Sequence, residues 1–146
     1  MPGIWTNEGN HQLLDVYAKG ATPPDLYVGL YMTPTTDPGV DGNGGLALTL
    51  ADLTEPSEGE YARILVEPGD WTLVDNLLTA AEVNFVASGL AWGIIYGWFV
   101  CDCATGTAGK LIAIEQFLDA PYNVGAAGEV KVVARLRACS GLPPLA

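Results

Sequence analysis

The chain has 146 residues, of which 49% are hydrophobic and 16% charged, with 18 Gly and 10 Pro. That is the size and make-up of one turn-rich globular domain, and it excludes a disordered chain. Seventeen acids against six bases give a net charge of −11, which argues against nucleic acid and anionic membrane as main partners because both would repel the protein. Met1 leads directly to Pro2-Gly3-Ile4-Trp5, without a basic region before an apolar run, so synthesis in the cytosol is expected.

The first element reads as a short helix. Asn10 can cap it, Leu13, Val16 and Tyr17 form one stripe to lie on a sheet, and Gly20 supplies a C-terminal stop. Pro23-Pro24 breaks the chain, and 26–32 reads as a strand with Leu26, Val28, Leu30 and Met32 inward and Tyr27 and Tyr31 on the other face. Between 33 and 60 the composition shifts to Pro, Gly, Asp and Thr, which predicts a long loop or arm that orders on contact. Strands are then expected over 61–66, 71–74, 79–87, 91–101, 110–118 and 129–138, with Glu67-Pro68-Gly69-Asp70, 104–107 and 120–128 as punctuation. Short strands separated by turns, with no helical pattern between them, predict a single mainly β domain over 1–146. Its architecture is an antiparallel, jelly-roll-like β-sandwich with a short N-terminal helix.

Two strands carry the functional reading. Over 129–138 the alternation is clean: Val130, Val132, Ala134, Leu136 and Ala138 face in, while Lys131, Arg135 and Arg137 face out as the local positive stripe on an acidic chain. Over 91–101 both faces are apolar, with Trp92, Ile94, Tyr96 and Trp98 on one side and Ile95 and Phe99 on the other. A sandwich of this size covers only its inner face, so another subunit is expected against Trp92, Tyr96, Trp98 and Phe99.

Other chemistry is weakly signalled. The run 83–101 is uncharged and has Gly89, Gly93 and Gly97 at the spacing of membrane helix pairs, but Glu82 and Asp102 stand where basic anchors belong, so no membrane span is expected. Asp41-Gly42-Asn43-Gly44-Gly45, with Asp52 at the twelfth position, resembles a calcium loop yet has Leu46 where its turn needs Gly. Cys101, Cys103 and Cys139 form neither a disulfide framework nor a zinc set and read as free thiols. The lone His11 reads as a cap or surface residue, Ser57, Ser88 and Ser140 lack motif partners, and Glu58 with Glu60 is a chance pair in a chain this acidic. No metal, cofactor or catalytic residue is expected, and the protein reads as a non-enzyme.

The spacing of several segments resembles that of small virion structural proteins of tailed bacteriophages, of the capsid decoration or cement type. The likeness lies in Trp5-Thr6-Asn7-Glu8-Gly9 before the helix, Leu26-Tyr27-Val28-Gly29-Leu30-Tyr31, Gly59-Glu60-Tyr61-Ala62-Arg63, Trp71, Trp92, Gly97-Trp98-Phe99-Val100, Gly109-Lys110-Leu111-Ile112 and Gly128-Glu129-Val130-Lys131-Val132. The resemblance implies a β-sandwich located in the virion, assembled in the host cytoplasm. It would bind the major capsid protein and itself as a homo-oligomer, often a trimer. The stripe Lys131, Arg135 and Arg137 then has two readings: it neutralises the protein's own carboxylates, or it is the capsid contact that docks an acidic surface of the coat protein or a neighbouring subunit. The tail 140–146 is extra to that pattern. The charge layout agrees, since residues 1–60 hold nine acids and one base (−8) while 61–146 hold eight acids and five bases (−3). A rival reading is a glycan-binding or adhesin module that stacks sugars on Trp5, Tyr27 and Tyr31.

Overall fold

The computed structural model describes residues 4–32 and 47–137. The fold is mainly β, an antiparallel sandwich preceded by one helix. In chain order the elements are β1 (Ile4–Trp5), α1 (Asn7–Lys19), β2 (Leu26–Tyr31), β3 (Ile64–Val66), β4 (Trp71–Val74), β5 (Leu77–Ala80) and β6 (Val83–Val86). They continue with β7 (Gly93–Ile95), β8 (Gly97–Cys101), β9 (Leu111–Gln116), β10 (Tyr122–Val124), β11 (Glu129–Val132) and β12 (Arg135–Arg137). One layer is a five-stranded sheet in the order β1-β9-β8-β2-β3; the other comprises β12-β5-β4, β11-β6 and β10-β7.

The expected long strands are broken. The segment 79–87 divides between β5 and β6 around the exposed Ala81 and Glu82, and its partner divides at Val133-Ala134, where the Ala80 N–H still donates to the Ala134 carbonyl at 2.9 Å. The segment 91–101 divides at Tyr96, so that β7 pairs with β10 and β8 with β2 and β9. A Gly-rich apolar run therefore crosses from one layer to the other, which is why it resembles a continuous span in sequence. Gly93 sits at φ 84, a backbone region that L side chains avoid. Among the described residues no helix is long and apolar enough to cross a membrane.

The two faces of β8 explain its composition. Trp98 and Val100 enter the main core between the layers, with Val28, Leu30, Ile112, Phe85, Val132 and Leu136. Phe99 and Cys101 enter a second cluster with Tyr31, Leu50, Leu111 and Ile114, on which Leu48 and Leu53 also pack. The expectation of a second subunit over this strand is thereby corrected. Trp92, Trp98 and Phe99 are 5%, 4% and 0% exposed within one copy, and Tyr96 is half-buried against the second cluster.

The cover comes from the segment read as an arm. Residues 33–46 lie outside the described residues, but from Ala47 onward the chain is packed: Leu50 is 2% exposed, a short 3-10 turn spans Leu50–Asp52, and the Met32 N–H donates to the Thr54 carbonyl at 2.7 Å. Asp52, the candidate final calcium ligand, instead accepts from the Thr49 amide at 2.8 Å and the Thr49 hydroxyl at 3.0 Å, capping that turn.

Helix α1 also departs from expectation. Its cap is Thr6, whose hydroxyl accepts from the Gly9 amide at 3.0 Å and donates to the Leu111 carbonyl, while Gly20 closes it at φ 70 as expected. The helix docks through Gly9, its buried residue, because a Cβ there would fall 2.8 Å from the Ile112 carbonyl carbon. Docking by the backbone at the first turn leaves Leu13 and Tyr17 of the expected inward stripe exposed, at 39% and 89%. His11 lies on the exposed side with Nδ1 3.3 Å from Asp15.

Candidate docking face

The strand alternation that reads outward-basic in sequence holds in the structure. Val130, Val132, Ala134 and Leu136 are buried, and Lys131, Arg135 and Arg137 are exposed; Ala138 lies outside the described residues. Cross-strand register sets their neighbours, because side chains directly opposite each other share a face. Lys131 is opposite Asn84 and Glu129 opposite Val86. Arg135 is opposite Thr79 and through it Thr72, while Arg137 is opposite Leu77 and through it Val74. The outer face of these strands thus mixes three cations with the exposed apolar side chains Val86 and Val74.

The cations are loosely engaged by their own chain. Lys131 Nζ lies 3.9 Å from Glu129 with both side chains about half exposed, a geometry worth little in water. Glu129 also accepts from the Asn84 amide at 3.1 Å. The Arg137 guanidinium donates to the neutral Asn76 at 2.9 Å. Arg135 makes no hydrogen bond or ion pair among the described residues, and its charge reaches Glu115 through the field, where it partly offsets the burial that raises that carboxyl's pKa.

Beside this face run two shallow depressions, of about 480 and 320 Å³, that share Phe117 and Lys131 in their walls. Phe117 meets Tyr122 edge-on at 5.1 Å between centroids, and the Tyr122 hydroxyl donates to Asp119. Strand β10, which carries Tyr122, lies within 120–128, where the sequence predicts a turn. Its three residues carry too little periodicity to register, and it forms because β7 offers it a partner.

The other residues weighed in the sequence do not form a site among the described residues. Glu58 and Glu60 are exposed. Of the glycan-stacking candidates, Tyr31 is fully buried, Tyr27 packs against the second cluster, and the Trp5 indole N–H donates to the Arg137 carbonyl at 2.9 Å, so no aromatic platform is presented there. No group of three or more potential metal ligands occurs among the described residues.

A cluster that sequence reading missed surrounds Arg63. Its Nε and Nη2 clamp the Glu55 carboxylate at 3.0 and 2.6 Å, Nη1 donates to the Cys103 carbonyl at 3.0 Å, and Nη2 donates to the Gly106 carbonyl at 2.8 Å. The Tyr61 hydroxyl donates to the same carboxylate at 2.7 Å and accepts from the Leu30 amide at 2.8 Å. Burial opposes ionisation of the guanidinium, but Glu55 and the nearby sulfurs outweigh it and raise its pKa; burial and then Glu55 raise that of Tyr61. This arrangement is structural. It ties the 47–60 segment and the 103–109 loop to the large sheet and leaves the arginine's donors engaged.

Cys101 and Cys103 are free thiols, and Cys139 lies outside the described residues. Burial pushes the Cys101 thiol up to about 12. Alkylation of the native protein at pH 8, read by mass spectrometry, is expected to leave Cys101 unmodified until denaturant is added, because both access and thiolate are denied. Rapid native labelling of Cys101 would contradict its placement.

No family model matches the chain, and no curated protein matches it either.

Proposed function

We propose that the protein is a non-enzymatic virion structural protein of the decoration or cement type, which docks on an acidic surface of the major capsid protein through Lys131, Arg135 and Arg137. The observation that carries this reading is the loosely engaged cationic face, carried by β11 and β12 in a chain of net charge −11. A like-charged surface elsewhere on the molecule disfavours other orientations, so these few cations select the docking face as well as attract the partner. Val74 and Val86, beside the cations, supply apolar area that such a contact would desolvate. The resemblance to phage virion proteins names the partner.

The test is binding of an Arg135→Gln/Arg137→Gln variant to empty capsids. Each rim charge is worth about 0.5 kcal/mol at low salt, so the pair together should weaken attachment roughly fivefold, a difference that closes as salt is raised. The melting temperature should change little, since both side chains are exposed. Attachment equal to wild type at low salt would sink the proposal.

A further inference from the structure

The β4–β5 hairpin leaves one edge of its sheet open. The Val74↔Leu77 pair flanks the Asp75-Asn76 turn, and the Ala81 amide donates to the Asp70 carbonyl at 2.7 Å. Alternation of an antiparallel ladder then directs the main-chain groups of Asp70, Thr72 and Val74 toward β5 and those of Trp71 and Leu73 away from it. The Trp71 N–H turns back to the Pro68 carbonyl and closes the 3-10 turn Pro68–Asp70, whereas no described residue bonds the outward Trp71 carbonyl or the N–H and carbonyl of Leu73, and the order β12-β5-β4 ends there. The edge lacks the devices that usually protect one. Its sequence Trp71-Thr72-Leu73-Val74 has no charge, proline or bulge, and Leu73 and Val74 are 66% and 63% exposed.

We infer that this edge pairs with the same edge of a second copy, antiparallel about a two-fold axis that passes between Thr72 and its symmetry mate. That register is selected by three features. It lets the open Leu73 N–H of each copy donate to the open Trp71 carbonyl of the other, while each Trp71 N–H stays on its own Pro68 carbonyl. It sets the exposed Leu73 against the half-buried Trp71 ring, covering apolar surface that is open in one copy. It also keeps like charges apart, because Asp70 falls opposite Val74 and Asp75 opposite Gly69, which matters in a chain of net charge −11.

The pairing has a consequence for the surface described above, although it does not depend on that surface's function. A two-fold axis normal to the sheet keeps the outer faces of both copies on the same side. The cationic rows of Arg135 and Arg137 therefore join across β4 into one surface, with Thr72 and Val74 at its centre. The contact is short, so it is weak between free molecules and strengthens when copies are held side by side on a common support.

Disulfide trapping in the full chain tests the register directly. Directly opposed residues of a non-hydrogen-bonded pair have Cβ atoms about 4.5–5.5 Å apart or closer, near the span of a disulfide. Thr72→Cys is therefore expected to form a covalent dimer under mild oxidation at least tenfold faster than Ala18→Cys, an exposed helix position that reports random collision. Wild type with its native thiols sets the baseline. Adding Leu73→Lys to Thr72→Cys is expected to return the rate to the collision level, with circular dichroism unchanged because Leu73 is exposed. Equal rates for Thr72→Cys and Ala18→Cys, or no effect of the lysine, would overturn self-pairing and leave the edge to a strand of another protein. Capsid attachment by the Arg135→Gln/Arg137→Gln variant is a separate measurement, so either result stands without the other.

Discussion

Arg63→Ala is expected to cost about 3 kcal/mol or more of folding stability, read as a lower denaturant midpoint at unchanged slope. The arginine side chain is 3% exposed and holds four groups from distant parts of the chain: the Glu55 carboxylate, the Cys103 carbonyl and sulfur, and the Gly106 carbonyl. Its guanidinium also lies 5.4 Å from the centre of the Phe99 ring. Removing it strands those acceptors and leaves the Glu55 charge half enclosed beside the Tyr61 hydroxyl. Arg63→Lys should recover only part of the loss, because an ammonium cannot clamp a carboxylate with two parallel donors while reaching two loop carbonyls. Glu55→Gln should cost less, since an amide still accepts from Tyr61 and the remaining side chain is 23% exposed. Equal stability of Arg63→Ala and wild type would mean that the 103–109 loop is held by other contacts.

That cluster shows where sequence reading reaches its limit. Glu55 and Arg63 are eight residues apart and Cys103 forty further on, spacings that match no helix or strand period, so nothing local marks them as partners. The exposed basic face is legible for the opposite reason. In 129–137 one side of the strand is wet, and period-two alternation then separates buried from exposed residues without knowledge of what lies above. Where both sides are covered, alternation vanishes. The sequence of 91–101 shows that Trp98 and Phe99 each need cover, but not that Leu48, Leu50 and Leu53 supply it for Phe99 from a segment whose neighbours are all turn formers. Helix α1 lies where the sequence predicts one, but it is capped four residues earlier than Asn10 and is oriented differently. An apolar stripe is the usual signal of a docked face, whereas here a glycine lets the backbone approach β9 closely and the stripe is left to solvent.

The second large effect is expected from glycines inside the large sheet. In the β2–β8 pairing Gly29 is opposite Phe99 and Tyr31 is opposite Gly97, so each glycine faces an aromatic ring on the neighbouring strand. Such reciprocal pairs let two large rings lie flat in the second cluster, where Tyr31 and Phe99 are both 0% exposed. A Cβ at Gly97 would meet the Tyr31 ring at 2.7 Å and would also overlap the Glu115 carbonyl oxygen of β9, while the three atoms nearest to a Cβ at Gly29 all belong to the Phe99 ring and would overlap it. Both Gly97→Ala and Gly29→Ala should destabilise by about 2–3 kcal/mol through overpacking. They should differ in rescue. Adding Phe99→Leu to Gly29→Ala removes the atoms in the way, so the double variant should be more stable than the sum of the single losses by about 1 kcal/mol. Adding Tyr31→Leu to Gly97→Ala leaves the clash with β9 backbone in place, and the losses should add. A thermodynamic cycle for each pair checks this. Strong coupling at 97 would show that β9 yields, and that ring packing, not the close approach of strands, is what reserves that position for glycine.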